Sequence, residues 1–275
     1  MQEALEAMNR RPRTPNTQAA QKGVWSWAIA GALCGAVWAT VQFAPAVWLQ
    51  RAVSTATDGR VQLHDSQGTL WHGSAQLGFT GGPGSGDATR LPGRVQWDVR
   101  PAWGQLQLSL RADCCATETQ RMEWSPGLRS WRLQIQPGQS NWPASLLAGL
   151  GTPWNTVELQ GTLALKTPGL TLVSSVDRLQ LDGSLSLDMP QVSSSLSTLR
   201  PLGSYQLLLQ GGEQPALDLR TLQGSLQLQG NGRWTAGHLR FTGEARAGDG
   251  HEAELSNLLN IMGRRDGARS VITLG

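Results

Sequence analysis

Hydrophobic positions follow two different periods along the chain. Residues Val24 to Val41, V-W-S-W-A-I-A-G-A-L-C-G-A-V-W-A-T-V, hold no charge, and apolar character resumes from Phe43 to Leu49. Some 20 apolar residues rising about 1.5 Å each cross a hydrocarbon core of roughly 30 Å, so the run predicts one transmembrane helix. A cleaved signal peptide is the competing reading, because Ala44-Pro45-Ala46 has the form of a cleavage site; the run is longer than the usual apolar limit of about 15 residues. After Pro45 the stretch to Asp58 has no breaker and Gly59 suits a helix stop, which predicts a juxtamembrane helix extending the anchor.

From residue 60 onward the period is two. Trp71, Gly73, Ala75, Leu77 and Phe79 share one face, as do Val95, Trp97 and Val99, and Leu106, Leu108 and Leu110, while the intervening positions are mostly polar. Successive strand residues point to opposite sides, so this alternation predicts an antiparallel sheet with one dry and one wet face. It excludes a doubly wound α/β fold, which needs continuously apolar strands with helices between them. The heptapeptide L-x-G-[ST]-L-x-L occurs at Leu159–Leu165, Leu181–Leu187 and Leu222–Leu228. In strand geometry its Leu, Gly, Leu and Leu face the same way. Each Gly then notches the apolar face, through either curvature and close packing or a groove for an acyl chain or partner strand. Leu163, Leu165, Leu185, Leu187, Leu226 and Leu228 form the candidate apolar face, expected to be filled by a second layer.

Residues 80–93 are rich in Gly and predict a flexible loop; their G-x-G-x-G spacing lacks the Lys-Ser/Thr and the strand-to-helix setting of a phosphate cradle. Residues 141–154 predict a short helix with Pro143 in its first turn, Leu146, Leu147 and Leu150 on its apolar face, and Gly151 and Pro153 ending it. A second helix is expected at Glu252–Met262 with Leu255, Leu258 and Leu259 inward, then a last strand at Ser270–Leu274. The fold class is thus mainly β: a single N-terminal transmembrane helix followed by a large curved antiparallel sheet domain with two short helices. The expected organisation is a cytoplasmic tail at 1–23, the transmembrane and juxtamembrane helix at 24–58, and a β domain at 59–275 on the far side of the membrane, which the resemblance given below makes periplasmic.

Charge fixes orientation more than partners. The net charge is +3, but Arg10, Arg11, Arg13 and Lys22 precede the apolar run, and residues 51–275 hold 19 basic against 18 acidic side chains. The positive-inside rule places the N-terminus in the cytoplasm and the body across the membrane. The near-neutral body has no basic stripe for a phosphate backbone, which argues against nucleic acid as a partner. The protein has 12 Trp but 1 Tyr and 3 Phe. Trp25 and Trp27 at the inner edge and Trp48 at the outer edge suit aromatic belts that hold a membrane anchor.

No catalytic, cofactor or metal constellation emerges. His64, His72, His238 and His251 lack ligand spacing, His251-Glu252-Ala253-Glu254 lacks the second His of a zinc-protease helix, and there is no G-x-S-x-G elbow. Cys114 and Cys115 are a candidate redox pair on the exported side. Three outcomes are open to them: a vicinal disulfide, an intermolecular bridge, or two free thiols.

Three segments then carry a family likeness: G-T-L-W-H-G-S-A-Q-L (Gly68–Leu77), W-P-A-S-L-L-A-G-L-G-T-P-W-N-T-V-E-L-Q-G-T-L (Trp142–Leu163) and L-L-N-I-M-G-R-R-D-G (Leu258–Gly267). With the preceding anchor they resemble type II secretion system protein N, and the likeness covers nearly the whole exported body. It implies a non-catalytic inner-membrane protein of the machinery that exports folded proteins across the outer membrane. The expected partners are periplasmic segments of the other inner-membrane components, met at free strand edges. The long sheet with a dry face and L-x-G-x-L repeats also resembles AsmA-like periplasmic proteins linked to lipid transport, which makes lipid the alternative partner. The two readings differ in whether the apolar face is filled or lines an open trough.

Overall fold

The computed structural model describes residues 17–82, 88–151, 154–175, 178–235 and 238–274. Two compact units divide between Ala44 and Pro45. The first contains helix α1, Thr17–Gln42, which begins before Val24 and carries Trp25, Trp27 and Trp38 exposed along its length. Among the described residues no helix is long and apolar enough to cross a membrane.

The second unit opens with Pro45, whose extended backbone separates α1 from helix α2, Ala46–Ala56. Helix α2 is short and amphipathic. Ala46, Leu49 and Val53 meet Leu63, Ala75 and Trp97 of the sheet, so this segment is part of the β body's core. It ends as Gly59, at φ +73°, donates its N–H to the Ser54 carbonyl, since glycine enters that backbone region without a Cβ clash.

Among the described residues the sheet contains 17 strands, all paired antiparallel. Strands β1 (Val61–Gly68) and β2 (His72–Thr80) form a hairpin; β3 (Ala88–Arg90) and β4 (Val95–Ala102) then pair in turn along the free side of β2. The meander continues through β5 (Gln105–Ala112), β6 (Ala116–Pro126) and β7 (Ser130–Ile135). Strands β7 and β8 (Gly138–Pro143) share one side of β10 (Thr162–Ser175), and two-residue β9 (Leu159–Gln160) lies against the end of β11 (Arg178–Ser194). Next come β12 (Gly203–Gly212), β13 (Ala216–Gly224), β14 (Leu226–Thr235), β15 (His238–Ala247), and finally β17 (Arg269–Leu274) with β16 (Arg264–Asp266) outside it. Among the described residues β1 and β16 do not pair with each other, and the sheet is not closed.

Three details differ from the sequence expectation. Residues 80–93 are not simply a loop. Ala88–Arg90 form β3, and Leu91, the next residue, is buried and donates its N–H to the Leu77 carbonyl at 2.8 Å; 83–87 lie outside the described residues. The helix expected over 141–154 is a 3-10 segment at Ala144–Leu150, with Asn141 and Trp142 in β8, followed by a one-turn helix α3, Trp154–Val157. The backbone turns at Gly151, φ +82°. Pro143 stands before that segment rather than inside it, since its carbonyl side still belongs to the ladder with Thr162. Helix α4, Glu252–Met262, and the last strand fall where periodicity put them, with Leu255, Leu258 and Leu259 fully buried.

Antiparallel order gives the sheet two rims. On the tip rim lie the turns 69–71, 103–104, 127–129 and 213–215, and Pro45 joins this rim by bridging to Thr69. The 3-10 segment, α3 and α4 lie along the other, the helix rim.

Candidate functional site

The candidate site is the apolar face of the sheet, and its shape depends on how the strands break. Each L-x-G-[ST]-L-x-L copy has its Gly at positive φ: +132° at Gly161, +98° at Gly183 and +133° at Gly224. The three copies do different things with that break. Gly161 separates β9 from β10. Gly183 sits in a register shift of β11, where a Cβ would strike the Gly169 carbonyl. Gly224 lies at the β13–β14 turn, where a Cβ would meet Gly203 and the Leu202 carbonyl. The common element is a backbone bend with close strand approach. The expectation that all four motif residues share a face fails at Leu222, which is 54% exposed. Ser204 pairs Gln223 while Tyr205 pairs Thr221, so Leu222 is the extra residue of a bulge and rotates out.

The six leucines singled out by the repeat do not have one fate. Leu163 and Leu226 are buried, and Leu228 packs against the cluster under α4. Leu165, Leu185 and Leu187 are half-buried and belong to no buried cluster. Register aligns Leu165, Leu187, Leu207 and Leu219 as one row across β10–β13, with Leu185, Leu209 and Leu217 as the next row. Every residue of both rows past Leu165 is half-buried. Towards β14 and β15 the rows become Gly230, Gly232 and Gly243, and the Phe241 ring occupies the space their side chains would take. Leu207, Leu209, Leu217 and Leu219 lie outside the repeat; their signal was the plain alternation in Y-Q-L-L-L-Q-G and A-L-D-L-R.

Along the helix rim this face is closed. Val192, Leu202, Tyr205, Leu226 and Ala245 pack beneath Leu255, Leu258 and Leu259 of α4. The Tyr205 hydroxyl donates to the Leu226 carbonyl at 3.1 Å, and burial pushes its pKa far above the ordinary value, fixing it as a neutral donor. Further along the same rim, Leu91, Ala112, Cys115, Ala116 and Leu146 form a second plug. At the β1 end the Trp97 ring lies where a Gly73 side chain would stand, and its Nε1 donates to the Thr69 and Leu70 carbonyls, each at 3.2 Å. Between these caps the leucine rows belong to none of the buried clusters formed by the described residues.

The opposite face is a polar ladder. Gln206 donates to Asp188 at 2.7 Å and Lys166 pairs with Asp188 at 3.1 Å, holding its carboxyl below the usual range, chiefly through the Gln206 bond. Glu244 accepts from Arg246 at 2.6 Å, from Gln229, and from Arg269 at 3.2 Å, and is likewise held low, first by Arg246. At the β1 bulge Arg94 clamps the Asp65 carboxylate at 2.6 Å, the Asp65 carbonyl at 2.6 Å and the Ser74 hydroxyl at 3.0 Å, lowering the Asp65 pKa.

Cys114 and Cys115 form a vicinal disulfide at the β5–β6 turn, with Cys115 buried and Cys114 exposed; Cys34 is free. Among the described residues no three His, Cys, Asp or Glu side chains come together in a metal-binding group. His72 pairs with Asp98 at 3.0 Å on the surface. Trp25 and Trp27 stand on α1 and Trp48 on α2, all exposed.

The profile of the family described as type II secretion system (T2SS), protein N, matches residues 59–272. No curated protein and no solved structure matches the chain.

Proposed function

The chain belongs to the type II secretion system protein N family, and from that premise we propose that it is a non-catalytic scaffold of this secretion machinery. In this reading the uncharged run Val24–Val41 anchors it in the inner membrane with the N-terminus in the cytoplasm and the β body in the periplasm. The observation that carries the reading is the extent of the family match, which takes in the sheet from just before β1 to within β17. The sheet also supplies a docking edge. Three-residue β16 presents exposed Arg264, Arg265 and Asp266, a charged edge of the kind that resists further pairing, whereas β1 offers an eight-residue outer edge. A periplasmic segment of a neighbouring inner-membrane component adds to β1 by main-chain pairing.

Photo-crosslinking from Gln62 and His64 in cells tests this. Adducts with other secretion components are expected, together with a secretion defect on deletion. Normal secretion without the protein, or adducts with none of those components, counts against the scaffold role.

The open leucine rows favour a second reading, in which the face holds phospholipid as an AsmA-like carrier. Native mass spectrometry of the protein released from membranes without detergent decides it. Co-purified phospholipid that is lost in Leu187→Ser/Leu207→Ser supports a carrier, and its absence removes the reading.

A further inference from the structure

Eight of the 12 tryptophans lie beyond residue 70, and most of these gather on one side of the sheet. Trp71 is in the turn 69–71, Trp103 is the tip of the β4–β5 hairpin, Trp124 and Trp131 flank the β6–β7 tip, and Trp234 stands near the end of β14. All five are on the tip rim. Trp103 is completely exposed, and so is Leu128 at the neighbouring tip. Leu106 pairs with Pro101 on one side and with Trp124 on the other, so the two tips project side by side, two strand spacings or about 10 Å apart. A fully exposed Trp at a two-residue hairpin turn contributes nothing to the fold. Such turns favour Asn-Gly and similar pairs, and only Gly104, φ +69°, meets that demand here.

Two further observations say what meets this rim. The chain enters the β body there: Pro45, three residues beyond the end of α1, bridges to Thr69 beside the first tip. The rim is also basic. Within three residues of the described tips stand Arg100, which pairs with Asp98 at 2.7 Å, Arg129 and Arg132 against Glu213 and Asp218, and at the same ends of their strands lie Arg178 of β11 and the cross-strand pair Arg233 and Arg240 of β14 and β15. Trp at the headgroup level and Arg against anionic headgroups are the side chains that a bilayer interface selects.

We propose that the tip rim docks on the surface of an anionic phospholipid bilayer, with Trp103 and Leu128 inserted as its two anchors. The inference rests on the reading of residues 24–41 as a membrane anchor and adds to it an orientation for the body. Tethered at Pro45, the sheet stands on the membrane with its strands running away from it and the helix rim farthest out. The unlayered leucine rows then open towards the lipid.

The test uses the full chain with Cys34→Ala, reconstituted in vesicles of phosphatidylethanolamine and phosphatidylglycerol. An environment-sensitive fluorophore is attached at Trp103→Cys, at Leu128→Cys or, on the opposite rim, at Asp249→Cys. All three sites are exposed turn positions where a change leaves the fold intact. Labels at 103 and 128 are expected to shift to the blue and to be quenched by spin-labelled phospholipid, while the label at 249 stays in water. Three indistinguishable labels overturn the docking. Quenching unchanged in zwitterionic vesicles overturns its anionic part. Labels at 103 and 128 that are shielded only in native membranes carrying the other secretion components assign the rim to a protein and overturn it too. Alkaline carbonate extraction with flotation reads the anchor separately. A chain that floats with its tips in water refutes the rim alone, and a chain that does not float refutes the anchor and the rim together.

Discussion

Strands β11 and β12 each carry apolar residues facing the same side at both ends, yet the two ends have different surroundings. Near the helix rim Val192 and Tyr205 lie under α4 and are almost completely buried. A few residues away on the same face of the same strands, Leu187 and Leu207 are half-buried and belong to none of the buried clusters. The alternation that makes one end a core makes the other a surface, and the only difference is whether a helix covers it. In a sheet of this kind the period of two fixes which side is apolar, and the connecting segments decide where that side becomes interior.

The sharpest break of the comparison is Leu258→Ala in the capping helix against Leu207→Ala in the open row. Burial and the cavity term predict a loss of about 2–5 kcal/mol for the first, and no more than about 1 kcal/mol for the second. Urea denaturation of the two variants reads both, and equal losses would mean that the leucine rows are core after all. Next in size is Gly224→Ala, where positive φ and the approach of Gly203 act together, expected to exceed about 1 kcal/mol. Gly212→Ala, at φ +141° with open space around it, isolates the backbone part and should cost less.

Much of this contrast was legible in the sequence and part was not. The dry face, the α4 leucines and the last strand followed from periodicity, because those residues answer to their own strand or helix. The fate of Leu165 and Leu187 depends on whether another segment crosses above them, which no local pattern encodes. The heptapeptide misled at Leu222 for a related reason. A Gly at positive φ adds a residue to one strand and reverses the facing of what precedes it. Trp103 precedes Gly104 and Leu128 follows Pro126-Gly127, so the turn residues beside them were the sequence signal that these two apolar side chains stand at tips. For Cys114 and Cys115 the choice among three outcomes needed the turn that brings Cys115 under Leu146.

The smallest expected effect is on the wet side of the same strands. The folded protein holds Asp188 and Glu244 below their ordinary values of 3.8 and 4.5. Their contribution is complete above the unfolded values and is lost as pH falls through the folded ones. Thermal melts should therefore fall below about pH 4, and the fall should be shallower in Asp188→Asn/Glu244→Gln. An identical acid slope in that variant would remove the polar ladder from the account, leaving the apolar caps alone to explain stability.

The order of the strands has a consequence for how the body is made. Most described strands pair with the one before them in sequence; β4 on β2, β17 on β15, β7 and β8 on β10, and β9 on β11 reach further. Each new pair closes a short loop at small entropic cost, so the sheet can lengthen one hairpin at a time in the direction the chain is delivered, without waiting for its last residues. Helix α4 comes near the end of the chain and closes a cluster built from Val157, Val192, Tyr205 and Leu226. Until it arrives that cluster is as bare as the leucine rows, so the interval between synthesis of β14 and docking of α4 is when a growing chain is most open to capture by a chaperone or by another copy.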